Sequence, residues 1–290
     1  MRIYVTGPIP SATASALAAD FDLAAGPEGV DGILSLLTTS VDGDYLDRAG
    51  PQLRIVANYA VGVNNIDLAA ARARGVLVAN TPDVLTRPTA ELTVTLMLSL
   101  LRRVTEGDRL IRRREPWGFS LEFMLGESLD GKLVGIVGPG RIGRETARLV
   151  EAFGARTMFV GTDDDLGALI AAADVVSLHC PLTPETHHLI DAAALAAMRP
   201  SAVLVNAARG PVVDERALVD ALRSGSIAGA ALDVYEREPE VSDELLAMEN
   251  VVLSPHLGSA TRTTREAMGM LAVEALRAVL LRDEEPPNLV

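Results

Sequence analysis

Short apolar runs rich in valine and isoleucine alternate along this chain with longer alanine- and leucine-rich segments of helical period. Such alternation is typical of βαβ units, in which crossover helices join parallel strands. It predicts two groups of strands. The first lies at residues 3–6, 33–36, 54–58 and 76–79, and the second at residues 133–137, 156–160, 174–179, 202–206, 229–233 and 251–253. Six parallel strands with intervening helices favour a doubly wound sheet for the second group.

The predicted helices indicate how the chain is divided into domains. A short helix at 68–74 lies between Asp67, a favoured N-cap residue, and Gly75, a favoured C-cap residue. A long helix is predicted at about 88–103, followed by an irregular stretch at 115–130, where we expect the chain to cross between domains. The last helix, about 263–281, needs a partner surface and is expected to return to the first domain. The prediction is a discontinuous domain, 1–92 and 263–290, into which 93–262 is inserted.

Composition excludes several classes of protein. Hydrophobic residues make up 49% of the 290 residues and aromatic residues only 3%, so a sizeable core must consist of Ala, Val, Leu and Ile. Nucleic acids are bound by clustered cations. A net charge of −13, with no cationic run longer than Arg112-Arg113-Arg114, argues against that partner. We interpret the triplet as a solvated helix face or a subunit contact.

The expected location is the cytoplasm. Cys180 is the only cysteine, which rules out an intrachain disulfide and suits a reducing compartment. No signal peptide precedes the first predicted strand. The longest apolar helical stretch, 92–101, is too short to cross a bilayer, so we expect no membrane association.

A glycine-rich loop follows the predicted strand at 133–137. Its glycines are Gly138, Gly140 and Gly143, and a helix is predicted from Ile142 to 150. In a βαβ unit the first glycine permits a tight turn, the second lets the backbone approach a pyrophosphate, and the third allows close packing of helix and strand. The helix N-terminus adds free N–H groups and partial positive charge. The loop predicts dinucleotide binding, and the alternative is a glycine-rich turn without a ligand.

The end of the next strand bears on the identity of the dinucleotide. An acidic residue that binds the adenosine ribose is expected near Gly161 or Thr162, but the carboxylates come just afterwards, at Asp163, Asp164 and Asp165. They could bind the ribose hydroxyls or cap the helix that begins at Leu166. They are expected to repel a 2′-phosphate, so NAD(H) is favoured, with NADP(H) still possible.

Three side chains with complementary chemistry are expected at the carboxyl ends of the last strands, where doubly wound sheets bind ligands. They are Arg209, Glu238 and His256. An arginine binds a carboxylate through two hydrogen bonds, a histidine donates a proton near neutral pH, and a glutamate stabilises the imidazolium. The set suits hydride transfer between a nicotinamide cofactor and a small 2-oxo or 2-hydroxy acid. Taken singly, the three could be a strand cap, a loop residue and a turn residue.

The remaining histidines and the cysteine have less specific surroundings. His179 ends a buried strand and is interpreted as a core histidine, whereas His187 and His188 follow a loop pattern and are interpreted as surface residues. Cys180 is expected to pack near the cofactor rather than to act as a nucleophile. No two histidines or cysteines have the spacing of a metal site, so no metal is expected.

With these motifs the chain resembles the D-isomer-specific 2-hydroxyacid dehydrogenases. The matching segments are 138–143, 179–183, 206–210, 232–239 and 254–258. Three N-terminal segments, 34–38, 58–67 and 80–86, most resemble the glyoxylate/hydroxypyruvate reductase branch. The resemblance implies an α/β fold of two doubly wound domains, with a Rossmann cofactor domain inserted in a smaller flavodoxin-like substrate domain.

The resemblance also implies residue roles and an assembly. Arg209 would orient the substrate, Glu238 would support the histidine, His256 would be the acid/base, and Asp233 would bind the nicotinamide amide. The implied substrate-binding residues are Leu37, Val61, Gly62, Arg209 and His256. The implied cofactor-binding residues are Gly138, Gly140, Arg141, Ile142, Gly143, Thr162, Cys180, Pro181, Ala207, Arg209, Asp233, His256 and Gly258. Such enzymes are usually homodimers joined around the helix predicted at 88–103.

The chain departs from the family pattern in two segments, and two alternative functions are also considered. The segment before residues 29–32 is short, so a strand and a helix of the first domain are expected to be reduced. The segment 162–174 is also short, where the family forms the far wall of the adenosine pocket. One alternative is a phosphite-type dehydrogenase of the same family; formate oxidation is disfavoured because Glu238 stands where formate enzymes have glutamine. The other alternative is a non-catalytic, NAD-sensing homologue.

Overall fold

The computed structural model describes residues 1–290, which form two compact units, residues 1–85 with 259–290 and residues 86–258. The elements of residues 1–85 are β1 (Arg2–Val5), α1 (Ser11–Asp20), β2 (Asp22–Leu23), β3 (Gly32–Ser35), α2 (Gly43–Ala49), β4 (Ile55–Asn58), α3 (Leu68–Ala73) and β5 (Leu77–Ala79). Those of residues 86–258 are α4 (Thr86–Leu101), α5 (Val104–Arg112), β6 (Leu133–Val137), α6 (Arg141–Glu151), β7 (Arg156–Val160), α7 (Leu166–Ala172), β8 (Val175–Leu178), α8 (Ala192–Ala197), β9 (Val203–Asn206), α9 (Glu215–Ser224), β10 (Gly229–Leu232), α10 (Asp243–Leu246) and β11 (Val251–Leu253). The final helix, α11 (Arg262–Arg277), continues as a π-helical turn, Ala278–Arg282.

The first unit contains a five-stranded parallel sheet in the order β2-β1-β3-β4-β5, which is the flavodoxin-like order. Every residue of β3 and β4 is buried, as expected for parallel strands that are covered on both faces. α11 packs against α1 and β4, so the C-terminal helix belongs to this unit.

The second unit contains six parallel strands in the order β11-β10-β9-β8-β6-β7. Counted from β6, the order is 2-1-3-4-5-6, whereas the usual dinucleotide-binding order is 3-2-1-4-5-6. The strand that usually lies beyond the second one is therefore missing, and β7 forms the edge of the sheet. The missing strand corresponds to the shortness of the segment 162–174, which was expected to reduce this side of the domain. The α/β fold class with two doubly wound sheets is confirmed.

Most predicted elements are present, and the differences have physical reasons. Three strands of the second sheet have the predicted bounds, and the other three are one or two residues shorter. The strand β2 was not predicted because it has only two residues, both exposed, and so forms no apolar run. The helix before it, α1, has ten residues and is not reduced. The helix α5 was not predicted either; it buries no residue, and Arg112 at its end pairs with Asp108 on the solvated surface.

No helix of the structure is long and apolar enough to cross a membrane. The predicted irregular stretch at 115–130 contains neither helix nor strand.

Candidate active site

The glycine loop joins β6 to α6 and has the geometry of a phosphate-binding turn. Gly138 has φ +94°, and a Cβ there would lie 2.5 Å from Cys180 N, which is backbone and cannot move aside. Around Gly140 no atom lies within 4 Å of an added Cβ, so the space above the loop is open. Gly143 lies in the first turn of α6, where a Cβ would approach Gly138 O to 2.3 Å. These are the three roles expected of a dinucleotide loop.

The N-terminus of α6 is suited to an anion. Its N-cap residue, Gly140, offers no side chain to bond the first free N–H groups, and the first turn contains no acidic residue. Those N–H groups and the helix dipole are therefore available to a pyrophosphate. Arg141 is exposed and Ile142 is half-buried in the same turn. The residues present fit the phosphate part of a nicotinamide dinucleotide.

The turn after β7 uses two of its three carboxylates locally. Asp164 Oδ2 accepts a hydrogen bond from Gly161 N at 2.7 Å. Asp165 Oδ1 accepts one from Ala168 N at 2.9 Å and so caps α7. The side chains of Thr162 and Asp163 are exposed. Of the two roles considered for these carboxylates, helix capping therefore applies to Asp165.

His256 and Glu238 form a directly bonded pair. His256 Nδ1 lies 2.7 Å from Glu238 Oε2, and both side chains are about one-third exposed, 34% and 35%. Glu238 Oε1 also accepts a hydrogen bond from Tyr235 N at 3.2 Å. Partial burial raises the pKa of Glu238, but the bond and charge of His256, the Tyr235 amide and the charge of Arg209 together hold it below its usual value. Glu238 is therefore ionised at neutral pH beside the imidazole.

Asp233 holds the turn that carries His256. Its two carboxylate oxygens accept hydrogen bonds from Leu257 N at 2.7 Å and Gly258 N at 2.8 Å, and its carbonyl accepts one from His256 N at 2.8 Å. This support matters because His256 has a left-handed backbone, φ +55°, which few residues adopt freely. Asp233 is buried, and burial raises the pKa of its carboxyl group.

Asn206, the last residue of β9, shapes the turn that presents Arg209. Its side-chain Nδ2 donates to Arg209 O at 2.9 Å, and its Oδ1 accepts from Ala208 N at 3.0 Å. The guanidinium donates one hydrogen bond, from Nη1 to Ala208 O at 2.7 Å. Burial lowers the pKa of Arg209 and the charge of Glu238 raises it, and a guanidinium remains charged in proteins. Its other N–H groups are free to bind a carboxylate.

In the first unit, asparagine side chains also orient the loop after β4. Asn58 Nδ2 donates to Gly62 O at 2.9 Å, and Asn80 Nδ2 donates to Val61 O at 2.8 Å. A peptide group directs its C=O and N–H in opposite directions. Binding the Val61 carbonyl therefore turns the Gly62 N–H away from Asn80. Leu37 lies after β3 with 37% of its surface exposed.

Comparisons with known proteins agree with this arrangement. Residues 94–258 match the family described as D-isomer specific 2-hydroxyacid dehydrogenase, NAD binding domain. A glyoxylate reductase of Thermococcus litoralis is 43% identical over 278 residues, which cover 90% of this chain and 83% of the relative. The chain belongs to the D-isomer specific 2-hydroxyacid dehydrogenase family. The predicted family is confirmed, and with it the prediction of an oxidoreductase that uses a nicotinamide dinucleotide.

Solved structures lead to the same family. A protein of Thermus thermophilus superimposes on this dehydrogenase with a TM-score of 0.92 and 42% identity, covering 100% of both chains. An NADPH-dependent glyoxylate/hydroxypyruvate reductase of Sinorhizobium meliloti, in complex with NADP and malonate, has a TM-score of 0.89 and 36% identity, covering 100% of this chain and 96% of the other.

The structure brings the predicted residues of the second unit of the dehydrogenase to one edge of its sheet. The glycine loop follows β6, Cys180 and Pro181 follow β8, Ala207 and Arg209 follow β9, and Asp233 follows β10. Sequence reasoning missed Asn58, Asn80 and Asn206 as positioning residues. The available signal was an amide side chain at the end of an otherwise apolar strand, or one residue beyond it.

Cys180, His187 and His188 differ in how far they are exposed. Burial raises the pKa of the Cys180 thiol to about 11, so it stays protonated, in line with a packing role. His187 is exposed as predicted. His188 is partly exposed, with 32% of its side-chain surface accessible, and its Nε2 lies 3.2 Å from Glu236 Oε1. A loop pattern identifies the connection but not the carboxylates that fold against it.

His179 is a core histidine whose ring should make the fold sensitive to acid. Its Nε2 lies 2.9 Å from Ser177 Oγ and its Nδ1 is buried without a partner, and burial lowers its pKa to about 4. In the unfolded chain a histidine protonates below about pH 6.5. Since the unfolded state then binds more protons, the free energy of unfolding falls as the pH drops from about 6.5 to 4, by about 1.4 kcal/mol per pH unit.

The His179→Gln variant should lack this effect. Urea unfolding at pH 7 and pH 4.5 is expected to show a loss of stability that is about 2–3 kcal/mol smaller in the variant than in the parent. His187→Gln, at an exposed histidine, serves as the control and should keep the parent's pH dependence. An equal loss in the parent and in His179→Gln would contradict the assignment.

Proposed function

We propose that this dehydrogenase reduces glyoxylate or hydroxypyruvate with a nicotinamide dinucleotide, with Arg209, Glu238 and His256 as its catalytic residues. The observation that carries the proposal is the 2.7 Å contact between His256 and Glu238, next to the guanidinium of Arg209 and at the same sheet edge as the glycine loop. The names of the relatives, glyoxylate reductase and glyoxylate/hydroxypyruvate reductase, support the substrate class.

The roles follow from the contacts. Glu238 occupies His256 Nδ1, which leaves Nε2 as the nitrogen that exchanges a proton with the substrate oxygen. Arg209 binds the substrate carboxylate with its free N–H groups and polarises the neighbouring carbonyl. When bound, the reduced nicotinamide supplies the hydride. His256 gives its proton to the carbonyl oxygen as the alcohol forms, and Glu238 stabilises the imidazolium before that transfer.

The proposal assigns cofactor binding to one of the two units. Residues 86–258 would bind the cofactor, with Gly138, Gly140, Arg141, Ile142 and Gly143 at the pyrophosphate, and this unit contains the segment that matches the NAD binding domain. In the other unit, a role for the N–H groups near Val61 and Gly62 in substrate binding stays a prediction. The lone, buried Cys180 supports a cytoplasmic location.

A steady-state comparison tests the function. Glyoxylate, hydroxypyruvate and pyruvate are each supplied with NADH and with NADPH, and phosphite is supplied with the oxidised cofactors. We expect the highest kcat/KM for glyoxylate or hydroxypyruvate. Turnover of phosphite alone would overturn the proposal in favour of a phosphite-type dehydrogenase. Cofactor binding without turnover of any 2-oxo acid would overturn it in favour of a non-catalytic, NAD-sensing homologue. The reductase names of the relatives favour neither alternative.

NADH is the expected cofactor. The turn after β7 contains Asp163, Asp164 and Asp165 and no cation, so it repels the 2′-phosphate of NADPH. We expect the Kd for NADH, measured by fluorescence titration at low ionic strength, to be at least about tenfold below that for NADPH, which corresponds to about 1.4 kcal/mol. Asp163→Asn should reduce the ratio of the Kd for NADPH to the Kd for NADH, whereas Asp243→Asn at the start of α10 should leave this ratio unchanged. Equal affinities, or tighter binding of NADPH, would disprove the preference.

We also propose that the enzyme is a homodimer. The segment between α5 and β6 exposes a run of apolar side chains: Trp117 is 62% exposed, Phe119 90%, Leu121 85% and Leu125 65%. Clustered apolar side chains of this kind mark interaction surfaces. A groove of about 550 Å³ beside α4, partly lined by Leu98, Val104, Leu129 and Phe153, could receive an apolar side chain from a second copy.

A double aspartate variant tests the dimer. The parent is expected to elute with a mass about twice 30.6 kDa in light-scattering chromatography. Phe119→Asp with Leu121→Asp places two charges in the interface and should yield the single-chain mass, since unpaired charges are costly to bury. Leu246→Asp, at a similarly exposed leucine on α10, is the control and should leave the mass unchanged. A variant that keeps the parent's mass would exclude this segment as the interface.

A further inference from the structure

Three consecutive connections at the active-site edge are tied together by side chains outside the catalytic set. They follow β8, β9 and β10. Arg209 lies in the second connection and Glu238 in the third. The ties are made by Glu215, the first residue of α9, by Glu236, two residues before Glu238, and by His188.

Glu215 and Glu236 bind each other's backbone reciprocally. Glu215 N donates to Glu236 Oε2 at 3.2 Å, and Glu236 N donates to Glu215 Oε2 at 3.1 Å. Each carboxylate faces an amide N–H, and the N-terminus of α9 favours negative charge, so the two acidic groups are tolerated together. The contact joins segments 21 residues apart in the chain.

The backbones of the same two connections are also in close contact. A Cβ at Gly210 would lie 1.8 Å from Tyr235 O, so only glycine lets the turn after Arg209 pass the Tyr235 peptide. Tyr235 N in turn donates to Glu238 Oε1 at 3.2 Å. A displacement of the peptides at 235 and 236 therefore moves Glu238.

His188 adds the connection after β8. Its Nε2 lies 3.2 Å from Glu236 Oε1 and its Nδ1 lies 4.0 Å from Asp214 Oδ2, so it stands between carboxylates of two other connections. Its backbone N donates to Pro211 O at 2.8 Å, and its ring stacks on His187 with centroids 4.0 Å apart. Asp214 is itself engaged, because its Oδ1 caps α9 through Ala217 N at 2.9 Å.

We propose that Glu236, held by Glu215 and His188, is a positioning residue that sets where Glu238, and through it His256, stands relative to Arg209. The inference rests on the proposed function. Catalytic groups must be held within about 0.5 Å of their productive positions. Glu238 lies on a loop, and loops hold groups less firmly than strands. The clamp formed by Glu215, Glu236 and His188 restrains the loop of Glu238. It also connects the turn that contains Arg209 to the pair formed by Glu238 and His256.

The Glu236→Ala variant tests the clamp. It is expected to lower kcat about tenfold or more while KM for the 2-oxo acid changes less and the Kd for NADH stays within about twofold, because the glycine loop is untouched. Glu236→Gln keeps an acceptor for Glu215 N and should recover most of the loss. Glu240→Ala, at an exposed glutamate of the same loop, is the matched control and should behave like the parent.

NMR spectra of the His256 ring separate positioning from general stability. The chain has only four histidines, so the His256 ring can be assigned by substitution. Glu238 Oε2 lies 2.7 Å from Nδ1 of this ring, and the charge of Asp233 also acts on it. If Glu236→Ala displaces Glu238, the ring resonances of His256, recorded at one fixed pH, should shift from their parent positions because the contact at Nδ1 changes, whereas Glu240→Ala should leave them in place. Unchanged ring resonances overturn the clamp, even if the melting temperature falls.

A second variant, at His188, tests the same proposal if Glu236→Ala does not fold. His188→Ala leaves Glu215 and Glu236 in place but removes the ring that contacts Glu236 Oε1, Asp214 and His187. It should lower kcat and shift the His256 ring resonances in the same direction as Glu236→Ala, by a smaller amount. Unchanged values in this variant overturn the proposal. A parent enzyme that turns over no 2-oxo acid refutes the proposed function instead, and the ring resonances of His256 still decide the clamp.

Discussion

An asparagine in place of His256 is expected to lower kcat for 2-oxo acid reduction by about 10²- to 10⁴-fold, the contribution of a positioned general acid. Asparagine cannot transfer a proton, but it tolerates the left-handed backbone, φ +55°, that this position requires. The turn itself is held by Asp233, so the variant should fold. Steady-state kinetics at saturating substrate measure the effect.

Binding measurements complete this prediction. The Kd for NADH should change far less than kcat, because the glycine loop lies on another connection, and the melting temperature should stay near the parent's value. His187→Asn replaces an exposed histidine and should retain full turnover. Near-parent kcat in the His256 variant would remove this residue from the mechanism and with it the assigned role of Glu238.

The Arg209→Ala variant is expected to lose about 10²- to 10⁴-fold in kcat/KM. The physical basis is the loss of two charge-assisted hydrogen bonds to the substrate carboxylate, each contributing about 1.5–3 kcal/mol. KM should rise and kcat should fall together, because the guanidinium both binds the carboxylate and polarises the carbonyl. The turn around it should persist, since Asn206 binds backbone atoms there and not the guanidinium.

A lysine at the same position serves as the matched comparison. Arg209→Lys keeps the charge but loses the planar fork, so its kcat/KM should lie between those of the parent and the alanine variant. An Arg209→Ala enzyme with kcat/KM within about threefold of the parent would mean that another group binds the substrate carboxylate. The pyrophosphate should bind equally well to both variants, as a titration with NADH can show.

Predictions from the chain were accurate where a feature depends on neighbouring residues. The strands β6 and β11 have the predicted bounds because each is a short apolar run between turn residues. In β7 the β-branched and aromatic residues between Gly154 and Gly161 indicated the strand, although it begins with an exposed arginine. The glycine loop was identified for the same reason. Elements without such a pattern were missed: β2 has two exposed residues, and α5 buries none.

The amino-acid order alone also specifies which candidate catalytic groups are present and at which edge of the sheet they lie, because the carboxyl ends of parallel strands converge. The contacts themselves depend on the tertiary structure. The pairing of Glu238 Oε2 with His256 Nδ1 joins residues 18 apart, and the pairing of Glu215 with Glu236 joins residues 21 apart. Such pairs depend on the paths of whole connections, which no local pattern encodes.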